Sequence, residues 1–218
     1  MHGGEEPDRP YSLVVLDVDG TLVDSFGWFC GVLNGVADRY RFRRVASDEV
    51  DILRRLGARE ILRRLGIPRW KVPFIARHMH ALAARDAETL RPFPAIPAML
   101  ADLAAMGMPL AILTSNREDV VRRVLGPEAA SRIGAWSCGA SIFGKAPKLR
   151  RLVARAHLPA ARVLCIGDEV RDAEAARVVG CAFGAVAWGY TDARALEALA
   201  PEHLFAQPED ITALLREG

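Results

Sequence analysis

The stretch LVVLDVDGTLVDS, from Leu13 to Ser25, joins an apolar run to two aspartates spaced one residue apart and then to a glycine. Its first four residues are all aliphatic, which predicts a strand that is buried on both faces, as in a parallel sheet. Ligands of open α/β sheets bind beyond the carboxyl ends of the strands. Asp17 and Asp19 follow this strand directly, so we expect them to lie at a functional site.

Two carboxylates this close are costly to ionise together unless a cation neutralises them or one holds a proton. Mg²⁺ prefers oxygen ligands, so we expect Asp17 to bind it through its side chain and Asp19 through its backbone carbonyl. The pattern then predicts a nucleophile for phosphoryl groups in Asp17 and a general acid and base in Asp19. Gly20 permits the tight turn after the pair, and Thr21 is expected to hydrogen-bond locally to stiffen it.

The composition is ordinary for a globular protein, with 51% hydrophobic and 26% charged residues among 218. The polar N-terminal segment has no apolar signal region, and no stretch approaches the roughly 20 apolar residues that span a bilayer. We therefore expect a soluble, cytoplasmic protein with no membrane partner. The four cysteines form no C-x-x-C pair, which favours buried reduced thiols over disulfides or a zinc site.

A long arginine-rich region follows Ser25 and extends to Leu90. Apolar residues recur there at spacings of three and four, which predicts amphipathic helices at 50–65 and 72–89. Between Phe26 and Leu90 there are 13 Arg and Lys residues against 7 Asp and Glu. Such arginine runs are usually a solvated helix face, although they can also attract phosphorylated substrates. We interpret the region as a separate helical insertion.

Prolines are frequent at 91–97, which indicates a linker that returns the chain to the first part of the fold. Apolar strands and helices then alternate. The predicted strands are 109–113, 135–138, 162–166 and 182–187, and the predicted helices are 98–106, 118–125, 148–156 and 172–179. This alternation predicts right-handed βαβ crossovers and a mostly parallel sheet in an α/β fold.

Hydroxyl and amide groups follow the predicted strand at 109–113. Thr114, Ser115 and Asn116 can offer hydroxyl and backbone N–H donors to phosphoryl oxygens at the same edge of the sheet as Asp17. Alternatively, Ser115 or Asn116 caps the next helix. Both functions are compatible, because a helix N-terminus is itself an anion site.

Carboxylates follow the predicted strand at 162–166. We expect Asp168 to complete the Mg²⁺ site with Asp17, and Asp172 to orient it or a bound water. A helix N-cap is the alternative for Asp168. Phosphoryl transfer also needs a fixed cation, and Lys145, in the loop before a predicted helix, is favoured over Lys148.

Taken in order, Asp17 with Asp19, Thr114, Lys145, and Asp168 with Asp172 resemble the four motifs of the haloacid dehalogenase superfamily of aspartyl-phosphate phosphatases. The resemblance is strongest to the phosphoglycolate phosphatase-like members, through PFPAIPAMLADLAAMG before the second motif, AVAWGY after the last core strand, and PEHLFAQPEDI near the end. One departure is Ala146, where many close relatives have proline after the lysine.

The resemblance implies a Rossmann-like three-layer core formed by residues 1–24 and 91–218. It also implies a small all-helical cap domain inserted after the first motif, which we call the cap segment, residues 25–90. Mg²⁺ dependence and a phosphoaspartate intermediate are further implications.

Together, these patterns predict a Mg²⁺-dependent phosphatase that acts on a small phosphorylated metabolite as a monomer or homodimer. A phosphomutase of the same fold, similar to β-phosphoglucomutase, is the nearest alternative. A dehalogenase is disfavoured, because displacement at carbon has no use for the acid at Asp19. A basic nucleic-acid-binding module is less favoured still, because the arginines lack an interleaved aromatic platform.

Overall fold

A computed structural model describes residues 9–139 and 144–216 of the chain. Within these residues, six strands form a parallel sheet in the order β5-β4-β1-β6-β7-β8, and two short strands pair separately. The strands are β1 Leu13–Leu16, β2 Val23–Asp24, β3 Arg91–Pro92, β4 Leu110–Leu113, β5 Ala135–Ser137, β6 Val163–Gly167, β7 Ala182–Val186 and β8 His203–Phe205.

Ten helices accompany these strands in the described parts of the chain, and none of them is long and apolar enough to cross a membrane. The helices are α1 Phe26–Tyr40, α2 Val50–Leu53, α3 Ala58–Arg64, α4 Val72–Arg85, α5 Ile96–Ala105, α6 Glu118–Ser131, α7 Lys145–Ala156, α8 Val170–Val179, α9 Ala193–Glu197 and α10 Pro208–Arg216.

The central strand β1 pairs with β4 on one side and β6 on the other, with Val15 opposite both Ala111 and Cys165. Because strand side chains alternate between faces, Val14 and Leu16 pack into one layer, while Val15 packs into the other. The first layer contains residues of α5, α6 and α10, and the second contains residues of α7, α8 and α9. The predicted α/β class, with its three-layer core and mostly parallel sheet, is therefore confirmed.

The cap segment contains α1 to α4 and has a buried apolar cluster of its own, which includes Val36, Leu53, Leu65 and Val72. The chain leaves the core after β2 and returns through β3, and these two strands pair antiparallel, with Val23 opposite Pro92. The division into a core and a cap domain stays a prediction, supported by this separate cluster and by the paired entry and exit strands.

Four helix predictions were partly wrong, including the start of the helix predicted at 148–156, since α7 begins at Lys145. The helix predicted at 50–65 is divided into α2 and α3, because the chain turns at residues 54–57 to contact the core. The helix predicted at 72–89 ends at Arg85, and the N–H of Thr89 closes a turn on the carbonyl of Asp86. The helix predicted at 118–125 does break at Gly126, with φ +81°, but helical structure resumes after this kink and ends at Ser131.

Candidate active site

The turn after β1 holds the first predicted pair of carboxylates. Asp17 is buried, and its N–H donates to the carbonyl of Ile166 in β6 over 2.9 Å. Asp19 is half-buried and accepts a hydrogen bond of 3.0 Å from the Ser25 hydroxyl through Oδ1. Gly20 closes the turn with φ +79°, a conformation that favours glycine.

Three buried carboxylates meet at the carboxyl ends of β1 and β6. One oxygen from each of Asp17, Asp168 and Asp172 lies within 4.8 Å of the others. Asp168 accepts hydrogen bonds from the Thr21 hydroxyl, 2.8 Å away, and from the Tyr190 N–H, 2.7 Å away. The N–H of Thr21 bonds locally, to the carbonyl of Val18 over 3.2 Å, while its hydroxyl reaches across to the second strand end.

The ammonium group of Lys145 lies among these carboxylates. Its Nζ is 2.7 Å from Oδ2 of Asp17 and donates a hydrogen bond to Oδ1 of Asp172. Lys148 instead donates to the carbonyl of Cys138. The structure thus places Lys145, not Lys148, beside the proposed nucleophile. Lys145 was predicted to lie in a loop before a helix, and residues 140–143, which precede it, lie outside the described part of the chain.

Burial and mutual repulsion set the charges of the cluster. Burial, followed by the charge of Asp17, raises the pKa of Asp19 to about 6. Burial also raises the pKa of Asp172 to about 6. The nearby ammonium of Lys145 lowers this pKa but offsets only part of the effect of burial. Burial lowers the pKa of Lys145, but the carboxylates of Asp17 and Asp172 outweigh this effect and raise it. Burial and repulsion thus favour the protonated forms of Asp19 and Asp172, while Lys145 keeps its charge.

The three carboxylates could serve as ligands for a hard divalent cation. Oδ2 of Asp17 is buried and accepts no hydrogen bond from residues 9–139 or 144–216, although Lys145 Nζ lies 2.7 Å from it. The side chains of Asp17, Asp168 and Asp172 supply oxygens, which are the ligands that Mg²⁺ prefers. A cation at this position would offset the repulsion among these carboxylates.

Thr114 is fully buried at the end of β4, the strand beside β1, and its hydroxyl accepts a hydrogen bond of 3.1 Å from the N–H of Asn116. Helix α6 begins at Glu118, with Arg117 as the N-cap residue. The capping alternative for Ser115 and Asn116 was therefore wrong.

The capping alternative for Asp168 was wrong as well, because Glu169 is the N-cap residue of α8. The Asp168 side chain instead accepts hydrogen bonds from Thr21 and Tyr190.

Ser25 and Tyr190 contact the carboxylates but were not predicted as site residues. Ser25 ends the first motif, and Tyr190 belongs to AVAWGY. The Tyr190 hydroxyl lies 3.0 Å from Ser25 Oγ, which bonds Asp19. Arg171 and Glu169 also form an ion pair beside the cluster. The position of Tyr190 just after an apolar strand was an available signal, because strand ends gather at one edge of the sheet.

Gly20→Ala is expected to lower the free energy of unfolding by about 2–4 kcal/mol, from backbone strain and overpacking together. A Cβ at Gly20 would lie 2.2 Å from Oδ2 of Asp168 and 2.5 Å from Cδ1 of Tyr190. Urea unfolding measures the change. Gly66→Ala is the matched control, because Gly66 has φ +68° but open space around it. Its free energy of unfolding is expected to fall by about 1 kcal/mol, from backbone strain alone. Equal losses in both variants would contradict the close contact at Asp168.

Comparisons with known proteins agree on one family. A family profile described as haloacid dehalogenase-like hydrolase matches residues 14–186. This chain belongs to the haloacid dehalogenase-like hydrolases. It is 32% identical over 209 residues to the phosphoglycolate phosphatase of Synechococcus elongatus, covering 94% of this chain and 99% of that protein. The phosphoglycolate phosphatase of Caulobacter vibrioides is 30% identical over 191 residues, covering 82% of this chain and 80% of that protein.

A solved structure of a haloacid dehalogenase-like hydrolase from Streptococcus pneumoniae has the same fold, with a TM-score of 0.71 and 20% identity. The match covers 94% of this chain and 98% of that one. The resemblance inferred from the motifs is thus confirmed, and the chain is a phosphatase of the haloacid dehalogenase family.

In this haloacid dehalogenase-like hydrolase, α7 begins at Lys145 and not at Lys148. The prediction of a later start was wrong. Pro147 lies in the first turn, where backbone N–H groups have no partner within the helix. The N-terminal end of α7 therefore directs Lys145 into the carboxylate cluster, despite the departure at Ala146.

Proposed function

We propose that this chain is a Mg²⁺-dependent phosphatase that hydrolyses a small phosphomonoester through a phosphoaspartate at Asp17. The observation that carries the proposal is the meeting of three buried carboxylates with one lysine ammonium group at the carboxyl ends of β1 and β6. A buried cluster with this charge has little use in stabilising a fold, because desolvation is costly. Perturbed titratable groups of this kind mark functional sites.

Asp17 acts as the nucleophile in this proposal. A carboxylate oxygen of Asp17 attacks phosphorus, and the bond between phosphorus and the ester oxygen breaks. Asp19 gives its proton to that oxygen, which leaves as an alcohol. The ionised Asp19 then takes a proton from water, which attacks phosphorus and releases inorganic phosphate and the free Asp17 carboxylate.

Other residues stabilise the transferred group and its surroundings. The Lys145 ammonium offsets charge on the phosphoryl oxygens, and we assign phosphate contacts to Thr114, Ser115 and Asn116 as well. Asp172 positions Lys145 through its hydrogen bond.

We assign metal binding to Asp17, Asp168 and the backbone carbonyl of Asp19, with Gly20, Thr21 and Asp172 in support. Bound Mg²⁺ supplies electrostatic stabilisation of the phosphoryl oxygens. Thr21 holds Asp168 by its hydroxyl, and Asp172 lies close enough to be a further ligand.

The substrate is proposed to be small, and phosphoglycolate is the first one to test. A cleft of about 200 Å³ opens where the start of α3 faces α7 and α8, and its lining includes Lys145, which contacts Asp17. The curated relatives named above as phosphoglycolate phosphatases support the same choice.

Removal of Mg²⁺ tests the cofactor. With p-nitrophenyl phosphate as substrate, EDTA is expected to lower turnover by about a hundredfold, and added Mg²⁺ to restore it, because several kcal/mol of charge stabilisation are lost. Full turnover in EDTA would contradict the metal assignment. A screen of phosphorylated metabolites that includes phosphoglycolate then identifies the substrate.

The alternatives make different products or bind different partners. A phosphomutase would return an isomer and need a bisphosphate activator, so release of inorganic phosphate distinguishes the two. The nucleic-acid alternative is weakened by ion pairs inside the cap segment. These pairs are Arg43–Glu49, Arg44–Asp38, Arg63–Glu60 and Arg85–Asp86. We therefore retain a small phosphorylated metabolite as the partner of a soluble, cytoplasmic monomer or homodimer.

A further inference from the structure

Arg54 joins the cap segment to a loop of the core. It follows α2, where the predicted long helix is interrupted, and its guanidinium donates two hydrogen bonds to backbone carbonyls. Nε lies 2.9 Å from the oxygen of Tyr190, and Nη2 lies 3.0 Å from the oxygen of Gly189. The N–H of Asp192 donates back to the Arg54 carbonyl over 2.9 Å. Three hydrogen bonds thus connect residue 54 to the loop at 188–192.

The same loop contacts the carboxylate of Asp168 directly and that of Asp19 through Ser25. The Tyr190 N–H donates to Asp168 over 2.7 Å. The Tyr190 hydroxyl lies 3.0 Å from Ser25 Oγ, and Ser25 donates to Asp19 over 3.0 Å. Tyr190 is therefore the one described residue that links Arg54 to both Asp168 and Ser25.

The loop has little freedom to move without moving Asp168. A Cβ at Gly189 would lie 2.2 Å from Cβ of Asp168, so the backbone of the loop is packed directly against this carboxylate. The guanidinium of Arg54 also lies 4.9 Å from the ring centroid of Phe26, which limits its own freedom. Hydrogen bonds from a charged donor are stronger than neutral ones, so loss of the Arg54 side chain would release the loop.

We propose that Arg54 is a positioning residue that couples packing of the cap segment against the core to the geometry of Asp168 and Asp19. By holding the carbonyls of the loop, Arg54 keeps the Tyr190 N–H on Asp168 and the Tyr190 hydroxyl on Ser25. The proposal rests on the proposed function, since it takes Asp168 as a metal ligand and Asp19 as the acid and base.

The test compares Arg54→Met with Arg63→Met in the full-length protein. Arg63 is the matched control, because it is an exposed arginine of the same segment whose contact is an ion pair of 3.2 Å with Glu60. Four quantities are measured: the Kd of Mg²⁺ by calorimetry without substrate, kcat and KM with p-nitrophenyl phosphate, and the Tm.

Arg54→Met is expected to raise the Kd of Mg²⁺ and to lower kcat, each by about tenfold, as is typical when the support of a metal ligand is lost. KM is expected to change little. Arg54→Lys should give intermediate values, because a lysine can donate hydrogen bonds but lacks the planar fork of arginine. Arg63→Met should match the wild type in all four quantities.

Tyr190→Phe separates the two branches of the network. It keeps the backbone N–H that contacts Asp168 and removes the hydroxyl that contacts Ser25. We expect kcat to fall while the Kd of Mg²⁺ is unchanged. A Tyr190→Phe variant with wild-type kcat would overturn the branch that reaches Asp19.

The outcomes distinguish this proposal from the proposed function. If Arg54→Met lowers only the Tm, with Kd and kcat equal to those of Arg63→Met, the residue is a structural contact and the positioning role is wrong. If the wild type binds no Mg²⁺, or if Asp17→Asn keeps full turnover, the proposed function fails and this proposal fails with it.

Discussion

Asp17→Asn is expected to reduce phosphatase turnover by about a thousandfold or more, because an amide cannot serve as the nucleophile that accepts the phosphoryl group. The substitution also removes one negative charge from a cluster in which an oxygen of Asp17 lies within 4.8 Å of oxygens of Asp168 and Asp172. Less repulsion remains, so we expect the variant to fold. Phosphate release from p-nitrophenyl phosphate measures the loss.

Asp24→Asn is the matched control for this prediction. Asp24 belongs to the same motif, but it is exposed in β2, outside the carboxylate cluster. Turnover within about twofold of the wild type is expected, since a surface substitution changes little. Rapid-quench experiments add a second check, because radiolabelled phosphate should attach to the wild type and not to Asp17→Asn. Labelling of both proteins would rule out Asp17 as the nucleophile.

Lys145→Met is expected to have the second largest effect, on both activity and stability. The ammonium is 2.7 Å from Asp17 and also bonds Asp172, and all three side chains are buried. Its loss leaves buried carboxylates without their cation, which is expected to lower the free energy of unfolding by about 3–5 kcal/mol. Turnover should fall by about a hundredfold or more, because charge on the transferred phosphoryl group is no longer offset.

Lys148→Met tests the alternative lysine. Its Nζ donates to the carbonyl of Cys138, away from the carboxylates. The free energy of unfolding is therefore expected to fall by only about 1 kcal/mol, and turnover to stay nearly normal. Urea unfolding and the same phosphatase assay measure both variants. The opposite ranking, with Lys148→Met inactive and Lys145→Met active, would show that the assignment of the active-site lysine is wrong.

The apolar runs and the residues that end them predicted most of the sheet. Val14 and Leu16 on one face and Leu13 and Val15 on the other are all buried, as a strand covered on both sides requires. Asp17 and Asp168 were predicted together because each follows such a run, and parallel strands end at one edge. Short-range spacing is sufficient for predictions of this kind.

Predictions failed where the outcome depended on contacts far along the chain. The helix predicted at 50–65 is interrupted because Arg54 bonds a loop that lies 135 and 136 residues away in sequence. The Thr21 hydroxyl has its partner, Asp168, 147 residues away. No local pattern contains either contact.

By itself, the sequence determined the α/β class, the strand ends that hold the carboxylates, and the family. The reason is that the periodicity of apolar residues, the apolar runs and the motif spacing are all local properties of the chain. Only the tertiary structure decided that Lys145 and not Lys148 faces Asp17, and that Tyr190 joins Arg54 to Asp168. The physical reason is that such partners depend on which strands pair and how helices pack on them. A side chain reaches its partner only after burial of apolar surface has brought distant segments together.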